Sequence, residues 1–199
     1  KGFDVEILDR CNFLGGRAQV FTKNGFKHDA GPTLITAPFL FEELFEMHGR
    51  RISDYVTLKP IDPWYRFIYD DGTSFDYVSS LEETIKNISL ISTNDAKNYT
   101  KMLEASERIY NLAFTKLADK PFHNLSFMFK QLPALVKFRA NRSVFNFVSS
   151  YFQSDKIRSA FSIQPLLVGG NPFTTTCIYS LINFLERKHG VFFAMGGTG

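Results

Sequence analysis

Glycine sets the tightest constraint on what this chain can fold into. Within the first 33 residues stand Leu14-Gly15-Gly16-Arg17 and Asp29-Ala30-Gly31-Pro32-Thr33, and a short β-prone run, Val5-Glu6-Ile7-Leu8, ends at Asp9 ahead of both. Adjacent glycines bring backbone N–H groups close to a ligand with no Cβ in the way. A strand ending in an acid is the second-strand pattern of a dinucleotide-binding βαβ unit, where the carboxylate accepts hydrogen bonds from ribose hydroxyls. Arg17 adds a charge-assisted contact to a phosphate. An edge strand, a glycine turn and a solvated arginine explain the same residues as well, and both readings stay open on pattern alone.

The rest of the dinucleotide fingerprint, G-x-G-x-x-G, belongs about 20 residues before the acid. The chain begins with Lys1, eight residues before Asp9. The expectation is an internal piece of a longer protein, with the first strand, glycine loop and most of the first helix upstream. The closing Met195-Gly196-Gly197-Thr198-Gly199 turn is expected to open a further segment.

Composition narrows the class. The 199 residues are 44% hydrophobic and 22% charged, which excludes collagen-like, low-complexity and largely disordered chains. No apolar run reaches the about 18 residues that a membrane-spanning helix needs. Cys11 and Cys177 stand far apart without CxxC or Cys/His spacing, so neither a disulfide framework nor a zinc site is encoded. A reducing cytoplasm is the expected compartment. The G-x-S-x-G, H-E-x-x-H and G-x-x-x-x-G-K-[ST] motifs are absent, and His28, His48, His123 and His189 are scattered.

Local signals place the elements. Ala18 to Lys23 and Phe26 to Asp29 form a hairpin around Asn24-Gly25, a type I′ turn. Pro38 opens a helix through Met47, with Gly49 as its C-terminal stop. Val56 to Lys59, Arg66 to Tyr69 and Ser74 to Val78 read as strands, the last two joined at Asp71-Gly72. Ser80-Leu81-Glu82-Glu83 caps a helix with Ile85 and Ile88 inward. Another helix starts near Ser92-Thr93 and carries Tyr99, Leu103, Ile109 and Leu112 on one face.

Phenylalanine occurs 22 times, and charge is lopsided. Residues 1–119 hold 14 Lys/Arg against 18 Asp/Glu, whereas 120–199 hold 9 against 2. Both trends meet in residues 120–158, where Lys120, Lys130, Lys137, Arg139, Arg142, Lys156 and Arg158 interleave with Phe122, Phe127, Phe129, Phe138, Phe145, Phe147 and Phe152. Such a segment can lie in a membrane interface, rings below the headgroups and cations on anionic lipid. A helical subdomain with a basic outer face is the plainer reading. Nucleic acid is not expected as a partner, because no motif supports it.

The glycine segments, with Pro63-Trp64-Tyr65-Arg66, the run Ser162 to Phe173 and Gly196-Gly197-Thr198, resemble the bacterial phytoene desaturases, FAD-dependent carotenoid desaturases related to the amine-oxidase flavoproteins. Asp9 stands where that family usually has Glu. The resemblance implies FAD as cofactor, with Asp9 toward the ribose, Gly15, Gly16 and Arg17 at the diphosphate, and Gly31, Pro32 and Thr33 beside the flavin. It implies a membrane-borne polyene as substrate, C=C bonds introduced by hydride transfer to flavin, and oxygen or a quinone as electron acceptor. No catalytic proton acceptor is named; Arg66 and Gln164 are candidate polar groups at a tunnel mouth.

The implied fold is α/β with an α+β cap. Residues 1–55 form part of a Rossmann-like FAD-binding domain, 56–189 a mixed-sheet and helical substrate and membrane-associating domain, and 190–199 the return to the FAD-binding domain. The expected location is cytoplasmic, peripheral to the membrane, and the isolated piece is expected to be inactive. A carotenoid isomerase, a diapophytoene desaturase or a retinol-saturase-like enzyme would use similar motifs. A non-catalytic membrane-docking module that holds isoprenoids is the alternative of another class.

Overall fold

The computed structural model describes residues 2–12, 15–120, 129, 133, 136 and 139–198. The chain divides into two compact units, Lys1–Pro60 with Phe192–Gly199, and Ile61–Val191. Helices and antiparallel strands make up both, a mixed α/β content.

In the first unit, β1 (Val20–Lys23) and β2 (Phe26–Asp29) pair in register from Val20↔Asp29 to Lys23↔Phe26. Asn24 at φ 54° and Gly25 at φ 82° supply the two left-handed residues of the type I′ turn. The strand starts two residues later than Ala18, because Gly16–Ala18 close a 3-10 turn in which the Ala18 N–H donates to the Gly15 carbonyl at 2.8 Å. A three-stranded sheet follows in the order β3 (Leu34–Ile35), β7 (Phe192–Ala194), β4 (Leu58–Pro60). Helix α1 (Pro38–Glu46) starts at its proline, and Gly49, at φ 66°, ends the turn that follows.

Val5 to Leu8 form no strand; Val5, Ile7 and Leu8 are all more than three-quarters exposed. A β-prone run becomes a strand only when a neighbour satisfies its N–H and C=O groups, and no described strand lies alongside.

The second unit opens with the hairpin β5 (Tyr65–Ile68) and β6 (Ser74–Tyr77), turning at Gly72, φ 80°. Phe75 and Tyr77 point inward and are almost completely buried. Helix α2 (Leu81–Ile91) is capped by Ser80 Oγ, which accepts from the Glu83 N–H at 3.2 Å, and buries Ile88. Helix α3 (Thr93–Ala113) is capped in the same way by Ser92 and buries Ala96, Tyr99, Leu103, Ser106 and Tyr110, a stripe at helical spacing. Shorter helices further along include α4 (Val144–Ser149), α5 (Asp155–Ala160) and α6 (Leu181–His189).

Phe161 is the hub of the core, its ring 5.2–5.8 Å from those of Phe75, Tyr77, Tyr99 and Phe152. Each such ring contributes about 2–3 kcal/mol of burial. Within residues 120–158, therefore, Phe147, Val148 and Phe152 are core. Lys156 pairs with Asp71, Arg158 donates to the Phe152 carbonyl at 2.8 Å, and the Arg142 guanidinium lies over the Phe147 ring. Phe129 and Val136 are exposed. Lys130, Lys137, Phe122, Phe127 and Phe138 lie outside the described residues.

Candidate functional site

Three glycine-bearing segments meet in the first unit. Gly15 (φ 111°) and Gly16 (φ 52°) both take positive φ, Gly15 capping and Gly16 opening the 3-10 turn that runs to Ala18. A Cβ on Gly16 would meet nothing within 4 Å, so the backbone there is open to an approaching group. Arg17 is exposed and has no ion-pair partner among the described residues.

Gly31 packs against this turn. A Cβ at Gly31 would lie 1.9 Å from the Arg17 carbonyl oxygen, a position no side chain can share. Gln19 O accepts from the Ala30 N–H at 2.7 Å and keeps the two segments side by side. Gly197 closes the third side: its Cβ would fall 2.6 Å from Asp29 Oδ1. The Thr198 hydroxyl donates to the Pro32 carbonyl at 2.7 Å, and the Thr198 N–H to Asp29 Oδ1 at 3.3 Å. The result is a seam of bare backbone with a free guanidinium at one end. Pro32, Gly197 and Thr198 also form the rim of an apolar cleft of ≈ 390 Å³, walled by Leu34, Phe41, Phe45 and Val56 among others.

The structure thus joins Gly15, Gly16, Arg17, Gly31 and Pro32, with Thr33 next in the chain. It joins them to Gly197 and Thr198 through Asp29, whose anchoring role sequence reasoning missed. The signal was the acid one residue after His28, at the end of β2. Asp9 stands apart: one carboxylate oxygen accepts from the Cys11 N–H at 2.7 Å, and no hydrogen bond ties it to the seam. These residues fit a cofactor with a diphosphate and a flat apolar ring, because they offer close backbone approach, a cation and a greasy wall. Among the described residues there is no cluster of His, Cys, Asp or Glu that could hold a metal.

The second unit carries a buried polar network that sequence reasoning also missed. Glu186 on α6 is 1% exposed, and its Oε1 accepts from the Tyr65 hydroxyl at 2.7 Å. Burial pushes the Glu186 carboxyl up to about 7, against the pull of the Tyr65 hydrogen bond and of Arg187. Burial, with Glu186 alongside, likewise drives the Tyr65 phenol far above its ordinary value. Arg187 donates to the Val78 and Ser79 carbonyls, Thr84 Oγ1 and Tyr99 Oη at 2.6–3.1 Å. Its guanidinium also lies 4.6 Å from the Trp64 ring centre and 5.0 Å from that of Tyr77. The network therefore holds the Trp64–Tyr65 stretch in place. Arg66, by contrast, faces outward and pairs with Asp76 at 2.7 Å through both Nε and Nη2. Gln164 is buried and donates to Asn183 at 2.7 Å.

The chain is 40% identical over 198 residues to a lycopene-forming phytoene desaturase of Pantoea ananas and 41% identical over 197 residues to one of Paracoccus sp. (strain N81106 / MBIC 01143). The alignments cover 100% and 99% of this chain but only 40% and 39% of those proteins, so the chain spans about two fifths of their length. A solved structure of a redesigned putrescine oxidase overlays with a TM-score of 0.49 at 14% identity, covering 94% of this chain and 39% of that one. The family model described as flavin containing amine oxidoreductase matches residues 1–199, end to end, and the chain belongs to that family.

Proposed function

We propose that the chain is part of an FAD-dependent phytoene or carotenoid desaturase that introduces C=C bonds into a membrane-borne polyene. The observation that carries this reading is about 40% identity, across the whole chain, to phytoene desaturases. These relatives fit a desaturase and not an isomerase, a retinol-saturase-like enzyme or a non-catalytic module. The glycine seam supports FAD as the cofactor, and the first unit is then part of a Rossmann-like FAD-binding domain.

In this reading Gly15, Gly16 and Arg17 hold the diphosphate through N–H groups and the guanidinium, and Asp9 keeps its second carboxylate oxygen for the ribose. Gly31, Pro32 and Thr33 offer backbone beside the ring, and the wall from Leu34 to Val56 keeps water away from it. Bound FAD would supply the hydride-accepting chemistry, and oxygen or a quinone would take the electrons onward. The seam's task is to bind, orient and exclude water.

A polyene resides in the bilayer, so the enzyme would work from the cytoplasmic face as a peripheral protein. Exposed Leu166, Leu167, Val168 and Phe173, together with the basic run 120–158, support that placement.

The test uses the full-length protein with FAD and phytoene in anionic liposomes. Products with longer conjugation, absorbing further into the visible, are expected. Phytoene recovered unchanged from flavin-loaded protein with an electron acceptor present would refute the desaturase reading. Flotation with the liposomes should weaken with salt and after neutral replacement of Lys130, Lys137, Arg139 and Arg142. Flotation indifferent to both would remove the membrane part alone.

A further inference from the structure

Only two acids occur in residues 120–199. Asp155 is exposed and pairs with Arg158 at 3.1 Å. Glu186 lies in the core, and its surroundings are unsuited to a negative charge. Among the described residues it has a single donor, the Tyr65 hydroxyl, and its Oε2 is buried without a protein partner. The neighbouring Arg187 turns its Nη groups to Val78, Ser79, Thr84 and Tyr99, and no ion pair joins Glu186 to any described cation. An unpaired buried carboxylate is costly, and taking up a proton removes the cost.

The proton then belongs on Oε2, since Oε1 accepts from Tyr65. An O–H there needs an acceptor. Ser180, the N-cap of α6, and Asn183 and Glu186 within it are spaced three residues apart, all buried. Asn183 Oδ1 accepts from Gln164 Nε2 at 2.7 Å and Asn183 Nδ2 donates to the Ser180 carbonyl at 3.3 Å, while Gln164 Oε1 and Ser180 Oγ are buried with no protein partner. Leftover polar atoms along one row are where internal water is held.

We infer that Glu186 is held as a neutral carboxylic acid below neutral pH, pinning Tyr65 of β5 to helix α6 with its proton directed into an internal hydrated row made by Gln164, Ser180 and Asn183, and that loss of this proton as pH rises to neutrality is the weak point of the second unit. The ionisable groups around it are Tyr65 from β5, Tyr77 from β6, Tyr99 from α3, and Arg187 beside it on α6. Burial keeps all three phenols neutral through the neutral range. Lys188 and His189, in the last turn of α6, face Tyr110 of α3 instead. Among the described residues Arg187 is thus the one charge that favours ionisation of Glu186, and burial outweighs it.

Infrared difference spectra of the full-length flavoprotein between pH 5.5 and 9, chosen to bracket the expected midpoint of about 7, test this. The wild type should show a protonated-carboxyl carbonyl band that disappears with rising pH and is missing from Glu186→Gln at both ends. Tyr65→Phe removes the one hydrogen bond that favours ionisation, so its midpoint should rise by roughly one pH unit. Spectra of wild type and Glu186→Gln that superimpose throughout would overturn the inference. If Glu186→Gln does not fold, Tyr65→Phe decides: an unshifted midpoint, or no titrating band, is equally fatal.

Discussion

The two units handle polar groups in opposite ways. In residues 2–60 with 192–198, the groups that matter are backbone N–H and C=O, laid bare by Gly15, Gly16, Gly31 and Gly197, together with the exposed Arg17 beside them. In residues 61–191 they are side chains, Tyr65, Tyr99, Glu186 and Arg187, sealed among aromatic rings. A seam of missing Cβ atoms leaves backbone open to an approaching group. A sealed network serves the fold, and its stability then depends on keeping every member.

The largest effect should come from cutting that network at its centre. Arg187→Met leaves the Val78 and Ser79 carbonyls, Thr84 Oγ1 and Tyr99 Oη without their donor and should cost about 3–5 kcal/mol. Chemical denaturation of the full-length protein measures this. A loss below about 1 kcal/mol would show that the network does not carry the unit.

Next comes pH. Glu186 titrates near 7 in the folded state against 4.5 in the unfolded chain. Below pH 4.5 both states hold the proton; between 4.5 and 7 the unfolded chain releases it first, so stability falls as pH rises. The penalty is complete above pH 7, at about 3 kcal/mol. Glu186→Gln should therefore flatten the pH dependence of the melting temperature across that window. Asp71 acts at the other end. Its hydrogen bond from Lys156 holds it down to about 2, so its contribution is lost as pH falls below 3.8 toward 2.

Much of the first unit was legible in the sequence because its signals are local. Asn24-Gly25 dictates a type I′ turn whatever surrounds it, and Pro38 and Gly49 bracket α1. The same locality exposes the limit. Val5 to Leu8 carries strand propensity, yet a strand exists only beside a partner, which no local pattern supplies. In the second unit Phe147 and Phe152 read as a greasy basic segment, because sequence does not say that Phe161 stands ready to pack against Phe152. Glu186 gave one faint signal, as one of two acids in a strongly basic stretch, and its burial is settled only by tertiary packing.

Within the seam, two glycines separate steric from conformational need. Gly31→Ala forces a methyl onto the Arg17 carbonyl and should cost about 1–3 kcal/mol and loosen the turn. Gly16→Ala meets no atom and should cost only the about 1 kcal/mol of a left-handed alanine. Equal losses in thermal denaturation would mean that close packing is not what the seam requires. Smallest of all is Arg66→Gln. The Arg66–Asp76 pair lies on the exposed face of the hairpin, and its loss should leave the melting temperature almost unchanged.

The central claim is that the bare-backbone seam with Arg17 holds the flavin. The flavin content of purified full-length protein, read from its visible absorption, tests it directly in wild type, Arg17→Ala and Gly31→Ala. The wild type should carry about one flavin per chain, and both variants substantially less at equal fold content. A colourless wild type, or variants that keep the full complement of flavin, would contradict it.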